Sequence, residues 1–401
     1  MSLFALTEDE ALSLVREKKT PCFAYRLDIV QDRYSLLRAS LPRRVRLAYA
    51  IKANPHPEIV DRFASIGASF DAASIGELGL LKRLGVGGER ILFAGPGKSG
   101  EELALALELN ARIEIDGIED AERLDQLASH ASREAVTRQP LRVSVRVHPA
   151  HGISESSRII GGAGPSAFGV DEEELPSFLD RVRSLRHVVV TGLQVFAASN
   201  ERDASRLAAN HRVALSIAER MRREYGIDLD LIDLGGGLGI PYAEEEEALD
   251  IAAVGANLTA LLKENPWFEG DLLLEPGRWL AGPAGIYLSR VIRIKESRGA
   301  RFAVLEGGIN HLLRPLLTGQ AFPVCAPGRV GTELEHTFAG PLCTSLDRLG
   351  TAALPELRPG DLVMFGQTGA YGFTEAMGTF LSHPLPEQYV IVGNEKPMSS
   401  A

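Results

Sequence analysis

The chain has 401 residues, 45% of them apolar and 24% charged, with a formal net charge of −10. That length holds two domains with a sizeable core, and the balance is that of a soluble globular protein. The excess of acid argues against nucleic acid or an anionic membrane as the main partner.

Thr7-Glu-Asp-Glu10 reads as a capping box ahead of a short helix over 11–17. A strand is expected over 20–25 and a helix over 30–40. The chain then alternates apolar strand-like runs with helical stretches. The strands are expected at 47–52, 69–72, 91–94, 113–116, 142–147, 188–195, 229–234 and 272–275. Ser74-Ile-Gly-Glu77 and Ser99-Gly-Glu-Glu102 read as capping boxes of two intervening helices, and Gly85 and Gly226 sit where helices stop. The Glu244–Glu247 run reads as a solvated helix start, where carboxylates suit the helix dipole. Eight such alternations imply parallel βαβ units in an α/β fold, and the count suits a closed eight-stranded barrel. Periodicity leaves an open doubly wound sheet as the alternative. Beyond about residue 281 helix gives way to strands at 286–294, 301–305, 362–365 and 388–392, which reads as a mainly β domain.

No uncharged apolar run approaches the roughly 20 residues that span a bilayer. The N-terminal MSLFALTEDEA shows no signal-peptide pattern. Cys22, Cys325 and Cys343 form neither a disulfide framework nor a metal spacing, so a reducing, cytoplasmic location is expected. His148 and His151 stand apart from any cysteine or acidic cluster, and no metal site is read there.

Lys52, closing the run AYAIKAN, carries the most chemical information. An ion pair or solvent is the commoner fate of such a lysine. Buried without a partner, it would shed its proton and become an amine able to condense with an aldehyde. Four further segments bear on the choice: Asp233-Leu-Gly-Gly-Gly-Leu-Gly239, Glu275-Pro-Gly-Arg278, Gly340-Pro-Leu-Cys-Thr-Ser-Leu-Asp347 and Gly369-Ala-Tyr-Gly372. In order and spacing these five motifs resemble the pyridoxal-phosphate-dependent group IV decarboxylases. That fold type III family includes the diaminopimelate, ornithine and arginine decarboxylases. The resemblance runs from about residue 20 to about residue 386.

It implies an alanine-racemase-like β/α barrel over 29–280 and a β domain over 281–401 that also takes in the N-terminal segment 1–28. It implies a homodimer with shared active sites and pyridoxal 5′-phosphate as cofactor. Lys52 would be the Schiff-base lysine. Gly236, Gly237, Gly277, Arg278, Ser199 and Tyr371 would hold the phosphate, and Glu275 would face the pyridine nitrogen. Asp71, Ser74 and Glu77 match a segment near the cofactor, although Ser74 also suits a plain helix cap. Cys343, supplied by the partner subunit, would return a proton to the α-carbon. Arg314 would receive a substrate carboxylate, Asp347 would contact amino groups, and Arg278 would also border the substrate.

Three positions depart from the pattern. Phe196 replaces the histidine that stacks on the cofactor ring; it can stack but carries no proton. Thr344 follows the cysteine where diaminopimelate enzymes have glutamate, which removes a group that recognises the distal end of meso-diaminopimelate. Thr318 stands four residues beyond Arg314 in place of a tyrosine. The expected reaction is α-decarboxylation of an amino acid or amino acid conjugate. The substrate would belong to siderophore synthesis or be an aminoacyl group held on a carrier protein. Decarboxylation of diaminopimelate, ornithine or lysine in primary metabolism is the alternative. A racemase would need a tyrosine base, and an inactive regulatory homologue would not need Lys52, Glu275 and Cys343 together.

Overall fold

The structure, a computed structural model, describes residues 2–131, 139–150, 165–196 and 198–393. The strands Val45–Ala50, Ser69–Ala72, Ile91–Phe93, Arg112–Ile115, Leu141–His148, Val188–Gln194, Leu231–Asp233 and Asp271–Leu274 pair in parallel, each with the next. The eighth returns to the first, with Leu272 opposite Val45. That closure makes a barrel and removes the open sheet as an alternative.

Strand periodicity sorts the side chains. Residues such as Phe70, Ile113 and Ile232 point out to the helices and are fully or almost fully buried there. Truncating one of these, Phe70 to alanine, would cost about 3–5 kcal/mol. The opposite face points inward, where Ala48, Leu92, Leu231 and Leu273 make an apolar layer of their own. Two residues further along the seventh and eighth strands the same inward face carries Asp233 and Glu275, so the barrel interior turns acidic towards its C-terminal mouth.

The helices between strands start and stop as their local chemistry dictates. Ser99 and Glu102 form a complete capping box on Gly100–Glu108, and Gly226 closes Ala204–Tyr225 at φ 62°. The Ser74 box is half made. Its hydroxyl accepts from Glu77 N, while the Glu77 carboxylate turns to Ala73 N at 2.7 Å. The Glu244–Glu247 run is not a helix start. Asp250 caps the next helix, Ile251–Glu264, and Glu246 instead accepts from Tyr242 N and pairs with Arg202 at 3.0 Å. The glutamates lose the dipole position to a residue that can cap.

The second domain is a sheet built around the long strand Gly285–Ser297. Cys22–Arg26 pairs with it antiparallel and with Glu387–Ile391 parallel. Phe23 and Tyr25 face the main core, whereas Cys22 and Ala24 face a small core that includes Ala11, Ile286 and Met364. Val324–Cys325, Glu333–Ala339 and Arg348–Pro355 complete the sheet, three strands the sequence reading lacks. Among the described residues no helix is long and apolar enough to cross a membrane.

Candidate active site

Lys52 does not end its strand; it sits in the turn Ile51–Ala53 that follows. That turn is fixed from several sides. Tyr49 donates its hydroxyl to Asn54 O at 2.9 Å, Tyr371 N donates to Ala53 O at 2.8 Å, and Asn54 Nδ2 donates to Gly369 O at 2.9 Å. The Lys52 ammonium lies 2.7 Å from Asp71 Oδ2, and the side chain is 39% exposed. Burial pulls its pKa down, but Asp71 and Glu275 pull it up by more, and the net shift is upward. The amine therefore keeps its proton in this arrangement, contrary to the unpartnered state considered from sequence. The ion pair was the other fate open to it.

Behind Lys52 stands a layer of buried acids. Glu275, 3% exposed, accepts a long hydrogen bond from Gln194 Nε2 at 3.4 Å. Asp233 accepts from Gly235 N at 2.8 Å. Glu114, Asp233 and Glu275 each bring an oxygen within 4.8 Å of the others. No donor elsewhere among the described residues reaches either oxygen of Glu114, Asp233 Oδ2, Glu275 Oε1 or Asp71 Oδ1. Burial, with repulsion among neighbouring carboxylates, lifts Glu114 to about 8 and Glu275 to about 7. It holds Asp233 well above the ordinary range for the same reasons. Asp233 thus holds a proton to share with its neighbours. Glu77, beside Asp71, is raised to about 7, chiefly by burial.

The glycine run passes over this layer. Gly235 and Gly237 take φ 69° and 94°, which a residue with a Cβ rarely adopts. A Cβ at Gly236 would lie 2.7 Å from Glu275 O, and one at Gly277 would lie 2.9 Å from Ala53 Cβ. No helix follows the run directly; the first helical turn at the mouth is Arg278–Ala281, entered from Gly277. Phe196, two residues beyond the end of the strand Val188–Gln194, lies against Gly235 and has its ring 5.9 Å from the Arg146 guanidinium. Ser199, Arg278 and Arg314 share a cleft of about 840 Å³. Arg278 donates to the Tyr242 hydroxyl at 2.7 Å and stands 4.9 Å from the ring of Tyr371. Tyr371 itself holds φ 57°, a strained conformation for an aromatic residue.

Not all the expected residues meet here. Cys343 is exposed on the loop between Glu333–Ala339 and Arg348–Pro355, and no hydrogen bond or ion pair among the described residues ties it to the Lys52 cluster. Asp347 is buried and accepts from Ile309 N at 2.8 Å and Leu342 N at 2.7 Å, so it braces that loop. Ser74 is a helix cap. Arg314 Nη1 is held by both oxygens of Glu375, at 2.9 and 2.6 Å, while its Nε has no partner among the described residues. Of the His148–His151 pair, His151 falls outside the described residues. Glu114, Asp233, Gln194 and Glu375 were not foreseen. Alternation along their strands is a signal for the first three; Glu375 has none.

A cradle that only glycine permits, a cationic arginine and lysine, and a buried acid with an oxygen lacking an outside donor suit one kind of guest. It carries a phosphate, an aldehyde and a ring nitrogen, as pyridoxal phosphate does. Fold and mouth together define a cofactor-dependent barrel enzyme. The pyridoxal-binding domain of the pyridoxal-dependent decarboxylases matches residues 27–282. The chain is 30% identical over 395 residues to L-glutamyl-[BtrI acyl-carrier protein] decarboxylase of Niallia circulans, covering 95% of this chain and 91% of that one. It is 31% identical over 392 residues to diaminopimelate decarboxylase of Methanothermobacter thermautotrophicus, covering 95% and 89%. The crystal structure of diaminopimelate decarboxylase from Helicobacter pylori, complexed with L-lysine, superposes with a TM-score of 0.86 at 26% identity, over 96% and 94% of the two chains. The chain belongs to the pyridoxal-phosphate-dependent decarboxylases of fold type III and is an amino acid carboxy-lyase.

Proposed function

We propose that this enzyme removes the α-carboxylate from an amino acid that forms part of a larger conjugate, such as an aminoacyl group on a carrier protein. The observation that carries the decarboxylase reading is Lys52, held by Asp71 between the acid layer and the glycine cradle. When bound, pyridoxal phosphate supplies an electron sink for the pair left behind as carbon dioxide departs. Lys52 would hold the cofactor through its aldehyde and be the residue that gives way to the substrate amine. Gly236, Gly237 and Gly277 bring their backbone close to the phosphate. Arg278, Ser199 and the Tyr371 hydroxyl add charge and donors there. Phe196 packs on the ring face. Glu275 faces the ring nitrogen, and its raised pKa suits a site where a proton is shared. Cys343 reaches in from a second copy of the chain and delivers a proton to the α-carbon. This makes a homodimer the working unit.

The relative that acts on a carrier-bound glutamyl group favours a conjugated substrate, as does Thr344. The test is carbon dioxide release by the cofactor-loaded enzyme. The panel comprises ornithine, lysine, arginine, meso-diaminopimelate, citryl-diaminopropionate and a carrier-bound glutamyl group. Turnover of conjugates alone is expected. Efficient turnover of meso-diaminopimelate would return the enzyme to primary metabolism.

A further inference from the structure

Arg314 lines the cleft with its guanidinium already paired to a carboxylate of the chain, as Arg202 is to Glu246 and Arg206 to Glu201. It is 5% exposed, receives both oxygens of Glu375, and lies 4.7 Å from the ring of Tyr371. Arg278 stands 4.9 Å from the same ring. Both arginines therefore lie against one aromatic side chain, within the same cleft. Arg314 also lines the 840 Å³ cleft, and Glu375 remains 27% exposed.

We propose that Glu375 stands in for a ligand carboxylate on Arg314, so that the enzyme takes substrates whose distal end is an uncharged acyl link, a thioester or an amide. This rests on the decarboxylase reading above and adds the chemistry of the distal end. A free distal carboxylate would have to displace the Glu375 carboxylate that holds Nη1, or take the Nε edge, which has no partner among the described residues, against like-charge repulsion. A thioester or amide meets neither obstacle. Thr344 acts in the same direction at the other charge. It offers no carboxylate to a distal ammonium, while Glu375 sets a negative charge beside the cation that a distal carboxylate would use. A zwitterionic distal centre is therefore disfavoured at both of its charges.

The experiment uses the full-length, cofactor-loaded enzyme and two unreactive probes, glutarate and its monoamide. Calorimetry reads their affinities for the wild type, Glu375→Gln and Glu375→Asp. The wild type is expected to favour the monoamide by about tenfold or more, and Glu375→Gln to gain about tenfold or more for glutarate. Glu375→Asp keeps the charge and should preserve the wild-type order. If Glu375→Gln melts near the wild type yet gains nothing for glutarate, the assignment is overturned. A wild type that binds glutarate as tightly as the monoamide also overturns it. In parallel, carbon dioxide release is followed from L-glutamate and its γ-thioester with N-acetylcysteamine. Glu375→Gln should move preference towards glutamate through KM, with kcat little changed. If the wild type acts on neither compound and on nothing else in the panel, the decarboxylase reading fails, while the probe affinities still decide the role of Glu375.

Discussion

The two ends of the barrel treat charge in opposite ways. At the foot, Asp230 holds both Arg112, at 2.9 Å, and Arg142, and each charge has its partner in reach of water. At the mouth, Glu114, Asp233 and Glu275 are packed together out of water with oxygens that no outside donor satisfies. Packing alone would never favour the second arrangement. In a barrel whose foot is stabilised in the ordinary way, the mouth's frustration marks where a bound group completes the structure.

Lys52→Ala should have the largest effect on that contrast. It removes the tether and the ammonium held against Asp71, so decarboxylation should fall by about 10³-fold or more. Loss of the bound-cofactor absorption band would accompany it. Retention of full turnover would sink the assignment. Glu275→Gln should cost about 10²–10³-fold in kcat while cofactor still binds, because the amide cannot share a proton with the ring nitrogen in the same way.

Glu114→Gln separates stability from catalysis. Its native pKa of about 8 exceeds the ordinary 4.5, so the native state binds the extra proton between those values. The contribution of Glu114 to the stability of the cofactor-free protein should therefore be fully present below about pH 4.5 and be lost as pH rises through about 8. The glutamine variant should be more stable than the wild type at pH 8, by on the order of a few kcal/mol, with the difference fading towards pH 4. Urea melts at the two pH values would check the sign, and an equal difference at both would refute it. The smallest effect belongs to the foot. Asp230→Ala should lose about 1 kcal/mol, after allowing for solvent screening of its partners, and leave carbon dioxide release as it was.

How much of this was legible follows from how local each signal is. Leu362–Phe365 stands where its apolar run places it, because a buried strand needs nothing but a short apolar stretch. Glu275, Arg278 and the glycines could be singled out because they stand in motifs that resemble those of the decarboxylase family. Glu114 could not, since Arg112-Ile-Glu-Ile115 reads equally as a strand with a solvated face. Only the closed ring turns that face inward. Glu333–Ala339 is half exposed and carries three charged or ionisable polar residues, so it lacks the apolar run that betrays a strand. The Arg314–Glu375 pair joins residues 61 positions apart, with no pattern linking them beforehand.

The bonds from Tyr371 N to Ala53 O and from Asn54 to Gly369 O set a timetable for biosynthesis. The Lys52 turn leaves the ribosome early, but Gly369 lies 315 residues after Asn54. At about 5–20 residues per second the turn waits on the order of tens of seconds for that partner. Nascent chains stalled before Gly369 should therefore present the lysine without its final brace, and competence to retain the cofactor should arise only once Gly369 and Tyr371 have emerged.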